Sequence, residues 1–217
     1  MIIDSFELYT AKLKLKKPFI TSLGVIEFSD HIFLKVYSES GEFGWGECAP
    51  THDINGETIE TCLAVSKQLT DSIIGISCYS HNLIYEKLNS VIYGHQSIKS
   101  AIDIACYDLA SKSKKLPLYN YLGGKINKKI YTDYTVSLNN VDKMVEQAEQ
   151  IVKKGFKIIK VKLGDNGKKD IERIKHIRKC IGDDKQIRID ANQGWNIEEA
   201  IYTLKNVDKY NIEYCEE

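Results

Sequence analysis

The chain reads as an α/β protein in two parts, an α+β segment followed by a run of βα units. Three observations carry this reading. Apolar and polar residues alternate near the N-terminus, a helical period takes over in the middle, and from about residue 130 strand and helix patterns alternate strictly. Phe6 to Leu15 and His31 to Tyr37 alternate, and the polar turn Ser38 to Glu42 leads into Phe43-Gly44-Trp45-Gly46-Glu47, so a small antiparallel meander is expected. Helical periods then cover Glu57 to Ile74, Ser80 to Ile92 and Ile98 to Ala110, the last with Ile98, Ala101, Ile102, Ile104, Ala105 and Leu109 on one apolar face. Leu116-Pro117-Leu118 and Tyr121-Leu122-Gly123-Gly124-Lys125 supply breakers, which divide the chain into domains 1–125 and 126–217.

In the second part, strands are expected at Ile130 to Val136, Lys157 to Leu163, Gln186 to Ala191 and Ile212 to Glu216. Amphipathic helices at Val141 to Lys153, Lys169 to Cys180 and Ile197 to Val207 separate them. The unit recurs about every 26 to 30 residues, as consecutive right-handed βα units do. An open doubly wound sheet and a (β/α) barrel both fit this pattern. No GxGxxG or Walker loop follows any strand, and Gly164-Asp165-Asn166-Gly167-Lys168 lacks the Walker spacing, so it is read as a βα loop.

Composition narrows the function. Thirty Lys+Arg balance thirty Asp+Glu over 217 residues, so no excess charge is available to hold nucleic acid or an anionic membrane. The alternating lysines of Lys12 to Lys17 read as the solvated face of a strand. A small-molecule substrate is the expected partner, and a homo-oligomer stays open. The start Met1-Ile2-Ile3-Asp4 resembles no leader, which gives a cytoplasmic expectation. Six scattered cysteines without a CxxC pair read as reduced, mostly buried thiols.

The chemistry gathers at the carboxyl ends of the strands, where α/β proteins carry their sites. Lys160 and Lys162 end the second strand of this part, Asp190 and Asn192 the third, and Glu216 the fourth. Residues two apart project to one side of a strand. Asp190 and Glu216 from neighbouring strands then offer oxygen ligands to a hard cation such as Mg²⁺. Two ammoniums about 7 Å apart disfavour each other's charge, which lowers the proton affinity of at least one toward that of a general base. With a carboxylate substrate, that base removes an α-proton and leaves an enediolate. The plainer readings are solvated edge lysines and an Asp or Asn serving as the N-cap of the next helix.

Lys160-Val161-Lys162, Asp190-Ala191-Asn192 and Glu216, in that order, resemble the enolase superfamily and its muconate lactonizing subgroup. The resemblance spans essentially the whole chain. It implies an enolase-like N-terminal capping domain of α+β type followed by part of a (β/α) TIM-type barrel. Tyr131 to Ser137 and Asp190 to Trp195 are similar to the dipeptide epimerases, including those acting on L-Ala-D/L-Glu. The resemblance implies that Lys162 is an acid/base catalyst with Lys160 beside it, tuning it and helping to bind the substrate carboxylate. Asp190 and Glu216 are implied as Mg²⁺ ligands, Asn192 as their neighbour, and Thr135 as a substrate contact. Thr21 to Gly24 and Thr51 to Ile54 resemble the two loops over the substrate, which brings Gly24 and Ile54 into the expected substrate site.

Two departures qualify the resemblance. Ala-Glu epimerases share Lys17-Pro18-Phe19 but carry an Arg for the glutamate side chain where this chain has Gly24. The expected substrate is therefore a dipeptide whose second residue is apolar or basic. The chain also ends at Glu216-Glu217, along the fourth strand of a barrel that needs eight units and about 250 residues. A third metal carboxylate and a lysine for the opposite substrate face are expected beyond that point, so these residues alone are expected to be inactive, with an open strand edge and an unfilled interior. Cycloisomerases and o-succinylbenzoate synthase share the same motifs and form the enzymatic alternative. A non-catalytic fragment that kept the scaffold forms the other, against which the lysine pair speaks.

Overall fold

The computed structural model describes residues 1–124 and 129–216. The expected boundary between residues 125 and 126 lies outside the described residues. Two compact units emerge: one comprises Met1–Lys14 and the chain from Phe28 onward, the other Leu15–Glu27 and the chain from Lys129 onward.

The first unit is built on a three-stranded sheet in the order β1-β2-β3. Strand β1 (Ile3–Thr21) and strand β2 (Gly24–Ser38) run well past their expected ends, and β3 (Phe43–Cys48) pairs antiparallel with β2, Ile32 opposite Cys48 and Tyr37 opposite Phe43. The lysine-rich alternation of Lys12 to Lys17 continues the pleat with its charges in water, which is why β1 does not stop at Leu15. Four helices follow: α1 (His52–Asn55), α2 (Ile59–Asp71), α3 (His81–Val91) and α4 (Gln96–Ser113), with the single turn α5 (Leu118–Tyr121) after them. The α1 residues were expected as loop; Thr51 and Gly56, the latter left-handed at φ 73°, close them into one turn.

Helix α4 lies directly on β3. A Cβ on Gly46 would meet the Ala101 carbonyl oxygen at 1.8 Å and one on Gly44 that of Ala105 at 2.1 Å, so both positions require glycine for the close approach. Ile32, Leu34, Val36, Ile98, Ala101, Ile102, Ala105 and Leu109 form the core of this unit. Ile104, assigned to the same face by its period, is instead 44% exposed. Cys48, Cys62, Cys78 and Cys106 are buried, as anticipated for most of the thiols, whereas Cys180 and Cys215 are exposed.

The second unit has a four-stranded parallel sheet in chain order: β4 (Tyr134–Val136), β5 (Ile158–Lys162), β6 (Gln186–Asp190) and β7 (Ile212–Glu216). A doubly wound sheet reverses its strand order at a switch point, and this order has none, which leaves barrel-type winding. Strand β4 is shorter than expected, because Ile130 and Tyr131 find no apolar cover and are 88% and 65% exposed. Helices α6 (Val141–Lys153), α7 (Gly167–Ile181) and α8 (Ile197–Val207) intervene, and each is capped by an asparagine: Asn140, Asn166 and Asn196 accept from the amides of Lys143, Lys169 and Glu199. Gly167 and Lys168, read as loop, open α7 behind that cap. Val136, Ile159, Val161, Leu163, Ile187 and Ile189 face the helices and join Met144, Ala148, Ile174 and Ile177 in a fully buried core. The opposite row of each strand is free to be polar. Among the described residues no helix is long and apolar enough to cross a membrane.

Candidate active site

Because Ile159 and Val161 turn toward the helices, Lys160 and Lys162 must rise together from the other face of β5. The register sets Lys162 level with Asp190 on β6, and Asp190 level with Glu216 on β7. Thr135 on β4 is level with Lys160. Three adjacent strands thus deliver two ammoniums and two carboxylates to one place.

Asp190 is the hub. It is 1% exposed and Lys162 6%, so neither charge has much water. Lys162 Nζ donates to Asp190 Oδ2 at 2.6 Å, and Lys160 Nζ lies 2.9 Å from the same oxygen. Lys160 Nζ also donates to Glu216 Oε2. The backbone N–H of Asn192 donates to Asp190 Oδ1 at 2.9 Å. Neither Asp190 nor Asn192 caps α8, since Asn196 does, so the plain capping explanation for these residues is discarded.

Burial works against the charge on Lys160, but its ion pairs with Glu216 and Asp190 outweigh that and hold its pKa above the ordinary lysine value. For Lys160 the expected lowering by mutual repulsion does not occur, because its ammonium lies against two carboxylates, those of Asp190 and Glu216. Burial likewise pushes the Asp190 carboxyl up, and the hydrogen bonds from Lys162, Lys160 and Asn192 more than reverse the push, leaving it below the usual carboxylate range.

Among the described residues no group of three or more His, Cys, Asp or Glu is arranged around a metal position. The donors present nevertheless suit a hard cation. The ammonium of Lys160 sits between Asp190 and Glu216 as a cationic stand-in. Nearby, Oδ1 of Asn192 is a buried oxygen without a hydrogen-bond partner. Asn192 and Gln193 both hold the left-handed conformation, φ 45° and 61°, a strained arrangement of a kind found at functional sites.

Several residues that pattern reading did not single out build the walls. Asp170, fully buried, accepts from the Gly164 amide at 3.0 Å, Trp195 Nε1 at 2.8 Å and Arg173 Nη1 at 2.6 Å, tying the loop after β5 to the loop after β6. The tip of the β1–β2 hairpin joins them: Ser22 Oγ lies 2.9 and 2.7 Å from the carbonyl oxygens of Ala191 and Asn192, and the Ile20 carbonyl accepts from Leu138 N at 3.0 Å. The ring of Phe19 lies 5.5 Å from Lys162 Nζ. A helix-internal Asp and a hairpin Ser carry no spacing signal, so only the segments quoted for their resemblance, those of Phe19, Thr21 to Gly24 and Trp195, hinted at these walls.

Of the sequence-predicted residues, Lys160, Lys162, Asp190, Glu216, Asn192 and Thr135 come together on this face. Gly24 opens β2 directly after the hairpin turn, φ 143°, with nothing within 4 Å of where its Cβ would be. Ile54 belongs to α1 of the first unit and is 60% exposed.

Comparison with known proteins bears on this geometry. Residues 5–123 match the family model of the mandelate racemase/muconate lactonizing enzyme N-terminal domain, and residues 143–217 match the enolase C-terminal domain-like model. The D-Ala-D/L-Ala epimerase of Cytophaga hutchinsonii is 47% identical over 100% of this chain and 59% of its own length. The L-Ala-D/L-Glu epimerase of Clostridium acetobutylicum is 37% identical over 98% of this chain and 59% of its own length. The crystal structure of the dipeptide epimerase from Cytophaga hutchinsonii complexed with Mg and D-Ala-L-Val superposes with a TM-score of 0.95, at 46% identity, over 99% of this chain and 58% of that one. The chain therefore spans somewhat under two thirds of the relatives it matches.

Proposed function

The chain belongs to the mandelate racemase/muconate lactonizing enzyme family, and on that footing we propose that the whole protein is a Mg²⁺-dependent dipeptide epimerase whose substrates carry a second residue other than Glu. The observation that carries this reading is the meeting of Lys160, Lys162, Asp190 and Glu216 at the ends of three adjacent strands, with one oxygen of Asp190 facing both ammoniums. A site that merely bound a metal would have no use for two lysines beside the carboxylates.

In this mechanism Lys162 Nζ, once it has given up its own proton, takes the α-proton of the substrate residue to be epimerised. Phe19 and the buried setting of Lys162 keep water from that nitrogen. Lys160 Nζ holds the substrate carboxylate through charge-assisted hydrogen bonds, and Thr135 beside it gives a polar contact. Asp190 and Glu216 would hold Mg²⁺, with the Asn192 amide fixing the Asp190 carboxylate. When bound, the ion supplies positive charge to offset the negative charge gathering on the substrate carboxylate as the proton leaves. Return of the proton on the other face completes the epimerisation.

The second residue of the substrate is inferred from Gly24, which offers no cation to pair a glutamate side chain. The name D-Ala-D/L-Ala epimerase and the D-Ala-L-Val complex, both from Cytophaga hutchinsonii, support it. The test is incubation of the whole protein with Mg²⁺ and a panel of L,L-dipeptides in deuterated water, read by mass spectrometry. One deuterium at an α-carbon of Ala-Ala or Ala-Val-type substrates, absent in Lys162→Ala, is expected. Gly24→Arg should shift exchange toward Ala-Glu. No exchange on any dipeptide, or a preference of the unaltered protein for Ala-Glu, overturns the proposal.

A further inference from the structure

The alignment of Glu216 with Asp190 depends on an irregularity one turn of the pleat below the site. Ile187 pairs with Ile212, but Arg188 pairs with Tyr214, so β7 spends two residues, Glu213 and Tyr214, against one of β6. Extended without that extra residue, the ladder would set Glu213 opposite Arg188, Tyr214 opposite Ile189 and Cys215 opposite Asp190. Glu216 would fall opposite the buried Ala191, on the helix-facing side that Ile212 occupies. The bulge moves it to the side of Asp190. Bulges are uncommon in parallel pairs and are used beside active sites to re-aim a side chain.

Something has to hold such a bulge, since it interrupts the ladder. The guanidinium of Arg188 does so from the same face of β6 as Asp190. Its Nε donates to Glu213 Oε2 at 2.7 Å, its Nη1 donates to Asp133 Oδ2 at 2.9 Å, and its plane lies 5.0 Å from the Tyr214 ring centre. Both residues of the bulge are thus engaged by one side chain, which is anchored at its far end to the residue before β4. The hydrogen bonds that Arg188 donates to Glu213 and Asp133 also hold its pKa above the ordinary value.

We infer that Arg188 and Glu213 are positioning residues: their ion pair pins the β7 bulge and thereby sets Glu216 opposite Asp190 as a divalent-cation ligand. This rests on the metal assignment of the proposed function. Neither residue need touch the ion or the substrate, and the Arg188 network occupies the layer below the lysines.

The experiment measures Mn²⁺ affinity of the whole protein by electron paramagnetic resonance, with Mn²⁺ as the probe for the hard-oxygen site. Arg188→Met and the more conservative Glu213→Gln are expected to weaken binding by about 10- to 100-fold. Deleting Glu213 supplies the discriminating arm, because a β7 without the extra residue keeps Tyr214 against Arg188 and Glu216 against Asp190 with no bulge to hold. That deletion should bind Mn²⁺ like the unaltered protein and should restore affinity when combined with Arg188→Met. Unchanged affinity in both substitutions, or a deletion that fails to rescue, overturns the inference. If the unaltered protein binds no Mn²⁺, or if Asp190→Asn binds it equally well, the metal assignment itself falls and takes the inference with it. The Asp190→Asn arm therefore separates the two failures.

Discussion

Replacing Asp170 tests whether the loops behind the lysines are held by the three hydrogen bonds that converge on one buried carboxylate. Arg173 Nη1 at 2.6 Å is a charge-assisted donor worth about 1.5–3 kcal/mol, and the Gly164 amide and Trp195 indole add about 1 kcal/mol each. Their sum falls within the roughly 3–5 kcal/mol that breaking a buried ion pair costs. Arg173 is only 6% exposed but keeps Asp165 at 3.1 Å and the Asn139 carbonyl at 2.9 Å, so the lower part of that range, about 3–4 kcal/mol, is expected for Asp170→Ala. Asp170→Asn is the sharper variant. All three partners are donors, so whichever way the amide turns, its NH₂ meets another N–H, and the near-isosteric change should cost within about 1 kcal/mol of the alanine. Urea unfolding would give the global cost, and hydrogen exchange the local one, since two units need not unfold together. An effect of about 3–4 kcal/mol speeds opening at Gly164 by roughly a hundred- to thousand-fold. A near-neutral Asp170→Asn would refute the reasoning, because it would mean that the charge and the acceptor pair do not hold these loops.

Two further outcomes concern the first unit. Gly46→Ala must push its new methyl into the Ala101 backbone, which cannot yield as a side-chain tip would, so a cost near the upper end of overpacking, about 3 kcal/mol, is expected as a fall in Tm; a loss under about 1 kcal/mol would contradict the direct seating of α4 on β3. His81 stacks on Tyr107 at 3.7 Å, bonds Tyr121 Oη at 2.8 Å through Nε2, and has a buried Nδ1 with no partner. Burial lowers its pKa and nearby Asp103 only partly opposes this, so between the folded and the unfolded values the unfolded chain binds more protons. The stability it contributes is therefore present above about pH 6.5, the unfolded value, and declines as pH falls from there through the folded pKa. Thermal unfolding at about pH 8 and about pH 5.5 should show a smaller acid loss in His81→Gln than in the unaltered protein, and equal losses would remove His81 from the account.

What the sequence made legible follows from period. The five elements from Val141 to Val207 stand where apolar alternation or helical spacing put them, two helices with identical ends, because one buried face per element is enough to print a pattern; β7 stands at Ile212 to Glu216 although four of its five residues are exposed. The lysine pair, Asp190 and Asn192 were visible for the same reason: they interrupt apolar strands at the end where such folds carry chemistry. The hairpin was underestimated because beyond Leu15 its faces are both largely exposed, and a strand without a buried face prints no hydrophobic pattern. Asp170 was silent because a buried acceptor is recognised by its donors, which lie largely in other segments, and Ser22, which donates to the Ala191 and Asn192 carbonyls, was reached only through the resemblance of the segment Thr21 to Gly24.

Glu216 shows how a candidate site residue can be named on insufficient grounds. Strict alternation along β7 places residues 212, 214 and 216 on one face, and Ile212 packs into the helix-side core. By that rule Glu216 should turn toward the helices, away from Asp190, and its charge would be left without the lysine it meets. Only the extra residue in the ladder reverses the parity between Ile212 and Tyr214, and period-two reading cannot detect an insertion that its own count absorbs. What reveals it is the electrostatics of the interior face: Glu213, the residue with no counterpart on β6, carries the charge that Arg188 requires. A charge pair across neighbouring strands, one layer below a candidate ligand pair, is thus a physical marker for register that periodicity alone does not supply.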